Sequence, residues 1–139
     1  MEDLQTFTIH ASTGSDSYTI DIERSLTARG GDVTVTVPTG LVIPLKKLPQ
    51  TLNVSPGAAE INVGESFISA FEHSASTAHP SQWLSDDKMV IASPFLKNEG
   101  KLEAGKPARF LYRLIIHKEQ WSKDRIEQEQ SRFKLEQQQ

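Results

Sequence analysis

Cysteine is absent from all 139 residues, which excludes disulfides, thiolate catalysis and cysteine-ligated zinc and leaves the compartment open. Basic charge is not in excess either. Fifteen Lys and Arg stand against 18 Asp and Glu, a net charge of −3, so there is no concentrated cationic surface for non-specific nucleic-acid binding. No apolar run approaches the ~20 residues of a membrane-spanning helix. Met1-Glu2-Asp3-Leu4-Gln5-Thr6 lacks the basic start and apolar core of a secretory signal. The expectation is a chain that works in the cytoplasm as written, or in the periplasm or outside the cell if its N-terminus is incomplete, with neither nucleic acid nor membrane as partner.

What is present is a succession of short alternating runs. Phe7, Ile9 and Ala11 alternate with polar residues, as do Tyr18, Ile20 and Ile22, and a Ser/Thr/Gly/Asp turn joins the two. This is the period-two pattern of a hairpin with one face buried. Val33 to Val37, Leu41 to Leu45, Leu52 with Val54, Ile61 with Val63, and Ser66 to Phe71 continue the series, punctuated by Gly and Pro. Met89 to Ala92 is a short apolar run of strand length. Arg109 to His117 is the strongest strand, with Phe110, Tyr112, Leu114 and Ile116 on one face and Leu111, Arg113, Ile115 and His117 on the other; such a strand belongs in the centre of a sheet.

From Gln120 the sequence turns to Glu, Gln, Lys and Arg, with Ser122 placed to cap a helix and Trp121, Ile126, Phe133 and Leu135 as a sparse apolar stripe. The expected fold class is therefore all-β, an antiparallel β-sandwich over residues 1–119, with a C-terminal α-helix over 120–139 packed on or extending from the same domain. No internal repeat and no dividing linker is present.

The chemistry concentrates between Phe71 and Phe95, which reads as a polar loop held by the β scaffold. His73 and His79, with Glu72 and Asp86 or Asp87, make an acid/base set, because imidazole titrates near neutral pH and a carboxylate can orient it. Trp83 offers a face for a sugar ring, and Arg113 and His117 share one face of the last strand and can line a concave surface with the loop. Each has a plainer alternative: histidines bonding loop backbone, Trp83 closing the core, Arg113 paired with a carboxylate on a neighbouring strand. The histidine spacing fits neither a helical His-x-x-x-His nor a tight loop site, so neither metal nor cofactor is expected.

Phe71-Glu72-His73, His79-Pro80, Trp83, Ala92-Ser93-Pro94-Phe95, Leu102-Glu103-Ala104-Gly105 and Arg109 to His117 succeed one another in an order that resembles the PmoA family over roughly Asp21 to Phe133. The resemblance implies a β-sandwich of the mutarotase-like, jelly-roll kind from bacteria that degrade polysaccharides. The family's "methane oxygenase" label describes a membrane enzyme whose spanning helices this chain lacks. Glu72 stands where the family has Asp, Ala78 where an arginine is expected, and an Asn-Ser-Glu-Gly element is reduced to Asn62 to Ser66. The implied function is a carbohydrate-related binding or structural module with a saccharide as partner. The alternative is a mutarotase or epimerase using the His/carboxylate pair. A shortened sandwich would also leave a sheet edge through which a homodimer could form.

Overall fold

The computed structural model describes residues 2–10, 17–35, 40–45, 51–55, 57–86, 89–95 and 100–136, with only the backbone of residue 86. The expected turn at 12–16, the Lys46-Lys47 pair and Asp87 lie outside the described residues. Among those described, eleven strands precede one helix. They are β1 Glu2–His10, β2 Tyr18–Thr27, β3 Val33–Val35, β4 Leu41–Pro44, β5 Thr51–Ser55, β6 Ala58–Asn62, β7 Phe67–Glu72, β8 Gln82–Asp86, β9 Met89–Ser93, β10 Gly100–Leu102, β11 Ala108–His117 and α1 Lys123–Glu136. The chain is thus antiparallel β with a C-terminal helix.

Six strands form the main sheet in the order β1-β2-β11-β7-β6-β5; β4-β9-β8 and β10-β3 make two smaller antiparallel sheets. β11 sits between β2 and β7, and its alternation divides the interior. Phe110, Tyr112 and Leu114 join Ile61, Ile68 and Ala70 in one cluster with Leu41, Ile43, Val90 and Ala92 of the three-stranded sheet and Val35 and Leu102 of the two-stranded one. The small sheets therefore lie across this face of the main sheet. Leu111 and Ile115 point the other way, where with Ala58 and Phe71 they receive Phe133 of α1. The core is made of apolar area taken from water on both faces of one strand, and β11 is the strand that both layers need.

Local chemistry sets the boundaries. Ser122 caps α1, its hydroxyl accepting from the Arg125 N–H at 3.2 Å. Gly40, at φ 144°, precedes β4 where an added Cβ would come within 2.3 Å of the Ala92 carbonyl oxygen and 2.8 Å of the Tyr112 hydroxyl, so only glycine fits.

The stretch from 71 to 95 is not one loop. Gln82 to Asp86 pair with Met89 to Ser93 as a hairpin, which confines the irregular segment to 73–81. Alternation explains it: in Gln82-Trp83-Leu84-Ser85, Trp83 turns into the core while Leu84 stays exposed. No helix among the described residues is long and apolar enough to cross a membrane.

Candidate functional site

Glu72 ends β7 with its carboxylate fully buried. Four groups converge on it. His79 Nδ1 donates to Oε1 at 2.6 Å, the Ser81 N–H donates to the same oxygen at 2.7 Å, and the Ser81 hydroxyl is bonded to Oε2. Tyr112, directly opposite Glu72 in the register of β7 and β11, places its hydroxyl 2.9 Å from Ser81 Oγ. Burial, then the Glu72 charge, pushes the Tyr112 phenol far above the ordinary tyrosine range, so it stays a hydroxyl.

The carboxylate fixes the His79 ring. With Nδ1–H given to Glu72, a neutral ring would carry its lone pair on Nε2. His79 is 28% exposed and lines a cleft of about 440 Å³ between the 73–81 segment and α1, with Glu72, Ser74, Gln130 and Ser131. Two backbone features bring the ring there. Gly57, at φ 75°, takes a left-handed turn beside the His79 ring that other residues rarely adopt. Ala78 adopts φ 57°, a left-handed conformation that non-glycine residues reach at a cost.

His73 does something else. Its Nε2 donates to the Lys134 carbonyl of α1 at 3.0 Å, its Nδ1 accepts from the Ala75 N–H at 3.0 Å, and its ring meets Phe133 edge-on. Both nitrogens are engaged and the residue is buried, so it ties the helix end to the 73–81 segment. His73 and His79 line the same cleft, but both His73 nitrogens are hydrogen-bonded to backbone, and the carboxylate of Glu72 pairs with His79. Asp86 ends β8, and its side chain lies outside the described residues.

Of the other three residues, Trp83 packs against the main core, edge-on to Tyr112 at 6.4 Å. It is partly buried there, with its ring against the core. Arg113 makes a two-point ion pair with Asp21, at 2.6 and 2.9 Å, reaches Glu136 at 2.6 Å, and lies over the Phe133 ring. His117 joins a different group on the helix-facing side of the sheet. Its Nδ1 donates to the Glu119 carbonyl at 2.6 Å, and its Nε2 is 2.7 Å from Ser69 Oγ, which is in turn bonded to Glu60. The ring is stacked on Trp121 at 3.9 Å.

Proton counting adds a constraint to that chain. A carbonyl only accepts, so Nδ1 of His117 holds a proton. In the neutral ring Nε2 accepts from Ser69, and Glu60 must then donate to Ser69 as a carboxylic acid. With an imidazolium, Ser69 instead donates to a Glu60 carboxylate. Either way Glu60 and His117 share one proton through Ser69. Burial pushes the Glu60 carboxyl up, against the hydrogen bond from Ser69, and burial pushes His117 down, with the Arg125 charge, against the hydrogen bond to the Glu119 carbonyl.

Sequence reasoning missed Ser81, Tyr112, Glu60 and Ser69 as members of these groups. Each sits on the alternate face of a strand or beside a proline, and only tertiary pairing assembles them. No group of three or more potential metal ligands occurs among the described residues. No protein-family model, curated protein or solved structure matches the chain.

Proposed function

We propose that this chain is a carbohydrate-directed β-sandwich module of the PmoA kind, which holds a hydroxyl-rich ligand in the cleft between residues 73–81 and α1 with His79 as its principal contact. The Glu72–His79 pair carries the reading. A fully buried carboxylate holds the ring of a partly exposed histidine that lines a cleft, whereas His73 has both nitrogens bonded to backbone. The polar lining from Ser74, Gln130 and Ser131 suits hydroxyl groups, and the order of motifs from Phe71 to His117 supports the saccharide class.

A second reading, mutarotase or epimerase chemistry, is favoured by the same tautomer. With Nδ1–H bonded to Glu72, a neutral ring would offer Nε2 as a general base. It would take the anomeric hydroxyl proton as the C1–O5 bond breaks and the ring oxygen takes a proton from solvent, and reclosure on the opposite face returns the proton. Substitution of the family's Asp by Glu72 and of its arginine by Ala78 makes binding the first reading and turnover the second.

Glycan-array binding and polarimetry on a panel of aldoses test the two together. The intact protein is expected to retain a subset of glycans, and His79→Gln to lose them with a melting temperature within a few degrees of the parent. Mutarotation that His79→Gln abolishes would establish the second reading. A protein silent both on the array and in polarimetry would sink both.

A further inference from the structure

α1 covers Ala58 of β6 and leaves an open groove beside it along the helix-facing side of β5 and β6. In register, Thr51, Asn53 and Ser55 stand opposite Asn62, Glu60 and Ala58. Residues at these positions floor a groove of about 520 Å³ whose far wall is the start of α1. The volume is that of a small-molecule site. The walls are apolar where α1 and β7 meet the groove, at Ala58, Phe67, Trp121 and Ile126, and the floor carries one ionisable group, Glu60.

Glu60 is unusual for its place. It is half-buried, bonded through Ser69 to His117, and has no cationic partner among the described residues. A carboxylate partly withdrawn from water is better satisfied with a cation beside it than by a single hydroxyl. Its neighbours Asn53 and Asn62 are neutral. Around the groove, Glu60 and Glu127 outnumber Lys123, the one cation in the lining. The groove thus combines an apolar wall with an acidic floor that lacks a counter-charge.

We propose that this groove binds a small organic cation, a primary amine carrying an apolar body, with the ammonium on Glu60 and the body against Trp121 and Ile126. Charge complementarity selects the cation, since an ammonium supplies the partner that Glu60 lacks. The chain through Ser69 provides an exit for a proton on Glu60. Any proton that Glu60 holds can leave as the ammonium arrives: Glu60 gives it to Ser69, Ser69 gives its own to His117 Nε2, and the imidazolium formed lies between Phe67 and Trp121, stacked at 5.9 and 3.9 Å, where aromatic faces favour a cation. The site adjoins the His79 cleft through Glu127 and Gln130 but does not depend on the reading given to that cleft.

Phenethylamine is the probe, with 2-phenylethanol as its uncharged counterpart, titrated by calorimetry and tryptophan fluorescence. Saturable binding of the amine is expected, with the alcohol at least about tenfold weaker, about 1.4 kcal/mol, and with the His117 ring resonances moving toward those of an imidazolium. Glu60→Gln, which preserves shape and whose amide can donate to Ser69 or accept from it, is expected to remove the preference for the amine. Asn53→Asp, an exposed change beside Glu60, is expected to tighten amine binding. Absence of saturable binding, equal affinity for the alcohol, or an amine preference unchanged in Glu60→Gln would each overturn the proposal.

Discussion

Glu72 and Tyr112 stand directly opposite one another on β7 and β11, and the Ser81 hydroxyl joins them. The pairing places a carboxylate and a phenol inside the main core within reach of one hydroxyl, so that neither can change its charge without disturbing the other. It also makes a buried polar network out of residues from two strands and the segment that carries His79. Such a network is stabilising only while every member is satisfied.

The tyrosine gives the network a signature in alkaline solution. An unfolded tyrosine loses its proton near pH 10, whereas burial and the Glu72 charge raise the folded value well above that. Above pH 10 the folded chain therefore holds a proton that the unfolded chain has released. Stability is intact below about pH 10 and falls as pH rises beyond it, by up to about 1.4 kcal/mol per unit. Urea midpoints measured on both sides of that pH should fall more steeply for the parent than for Tyr112→Phe. Identical slopes would show that Tyr112 ionises normally.

Arg113 and Asp21 form the counterpart on the helix-facing side. Arg113 is only 4% exposed, and its charge is balanced by Asp21 and Glu136. Burial by itself raises the Asp21 carboxyl, but the hydrogen bonds and charges of Arg113 and His10 outweigh it and hold it below the ordinary range. A depressed carboxyl contributes stability above its unfolded value of about 3.9 and loses that contribution as pH falls through the lower folded value. Arg113→Ala should cost about 3 kcal/mol, the low end for a broken buried pair, because His10 still reaches Asp21 at 2.8 Å. Asp21→Asn should flatten the acid limb of the stability curve. A chemical-denaturation series from neutral pH into acid, run on both variants, checks the two together. An acid limb unchanged in Asp21→Asn would remove the carboxyl from this role.

Those two relationships also mark how far the sequence could be read. The alternation of Phe110 to His117 is plain in the chain, and it places β11 centrally with Arg113 and His117 on one face, because apolar and polar residues sort by strand period wherever a face is buried. The hairpin at Gln82 to Ser93 was hidden. His79-Pro80 and Asp86-Asp87 give its flanks the composition of a loop, although Trp83 and Leu84 already alternate. β1 was legible only from Phe7 onward. Glu2 to Thr6 pair with Glu23 to Thr27 through backbone bonds while exposed on both faces, so no burial pattern marks them. Within the candidate site, Glu72, His73 and His79 could be named by residue type, but which histidine meets the carboxylate depends on where the chain turns after β7. Glu60 and Ser69 were invisible for the same reason: they meet only because β6 and β7 pair in that register.

β1 raises the question of what lies beyond the sheet. It is an edge strand exposed along its whole length, and on the face away from α1 it carries Phe7 and Ile9, 60% and 73% exposed, with Tyr18 of β2 equally open at 60%. Among the described residues no strand pairs with the outer edge of β1, so an apolar strip adjoins an open strand edge, the combination that favours strand addition. Antiparallel pairing of two β1 strands about Thr6 would continue the sheet across a two-fold axis and place Glu2 of one copy opposite His10 of the other. The expected outcome is a concentration-dependent rise in weight-average mass by sedimentation equilibrium, approaching the dimer. Phe7→Lys puts a charge on the apolar face of the edge and should return the protein to a monomer with little change in unfolding midpoint. A parent that stays monomeric at high concentration would rule out sheet continuation through β1, and association that Phe7→Lys leaves intact would move the contact elsewhere on the surface.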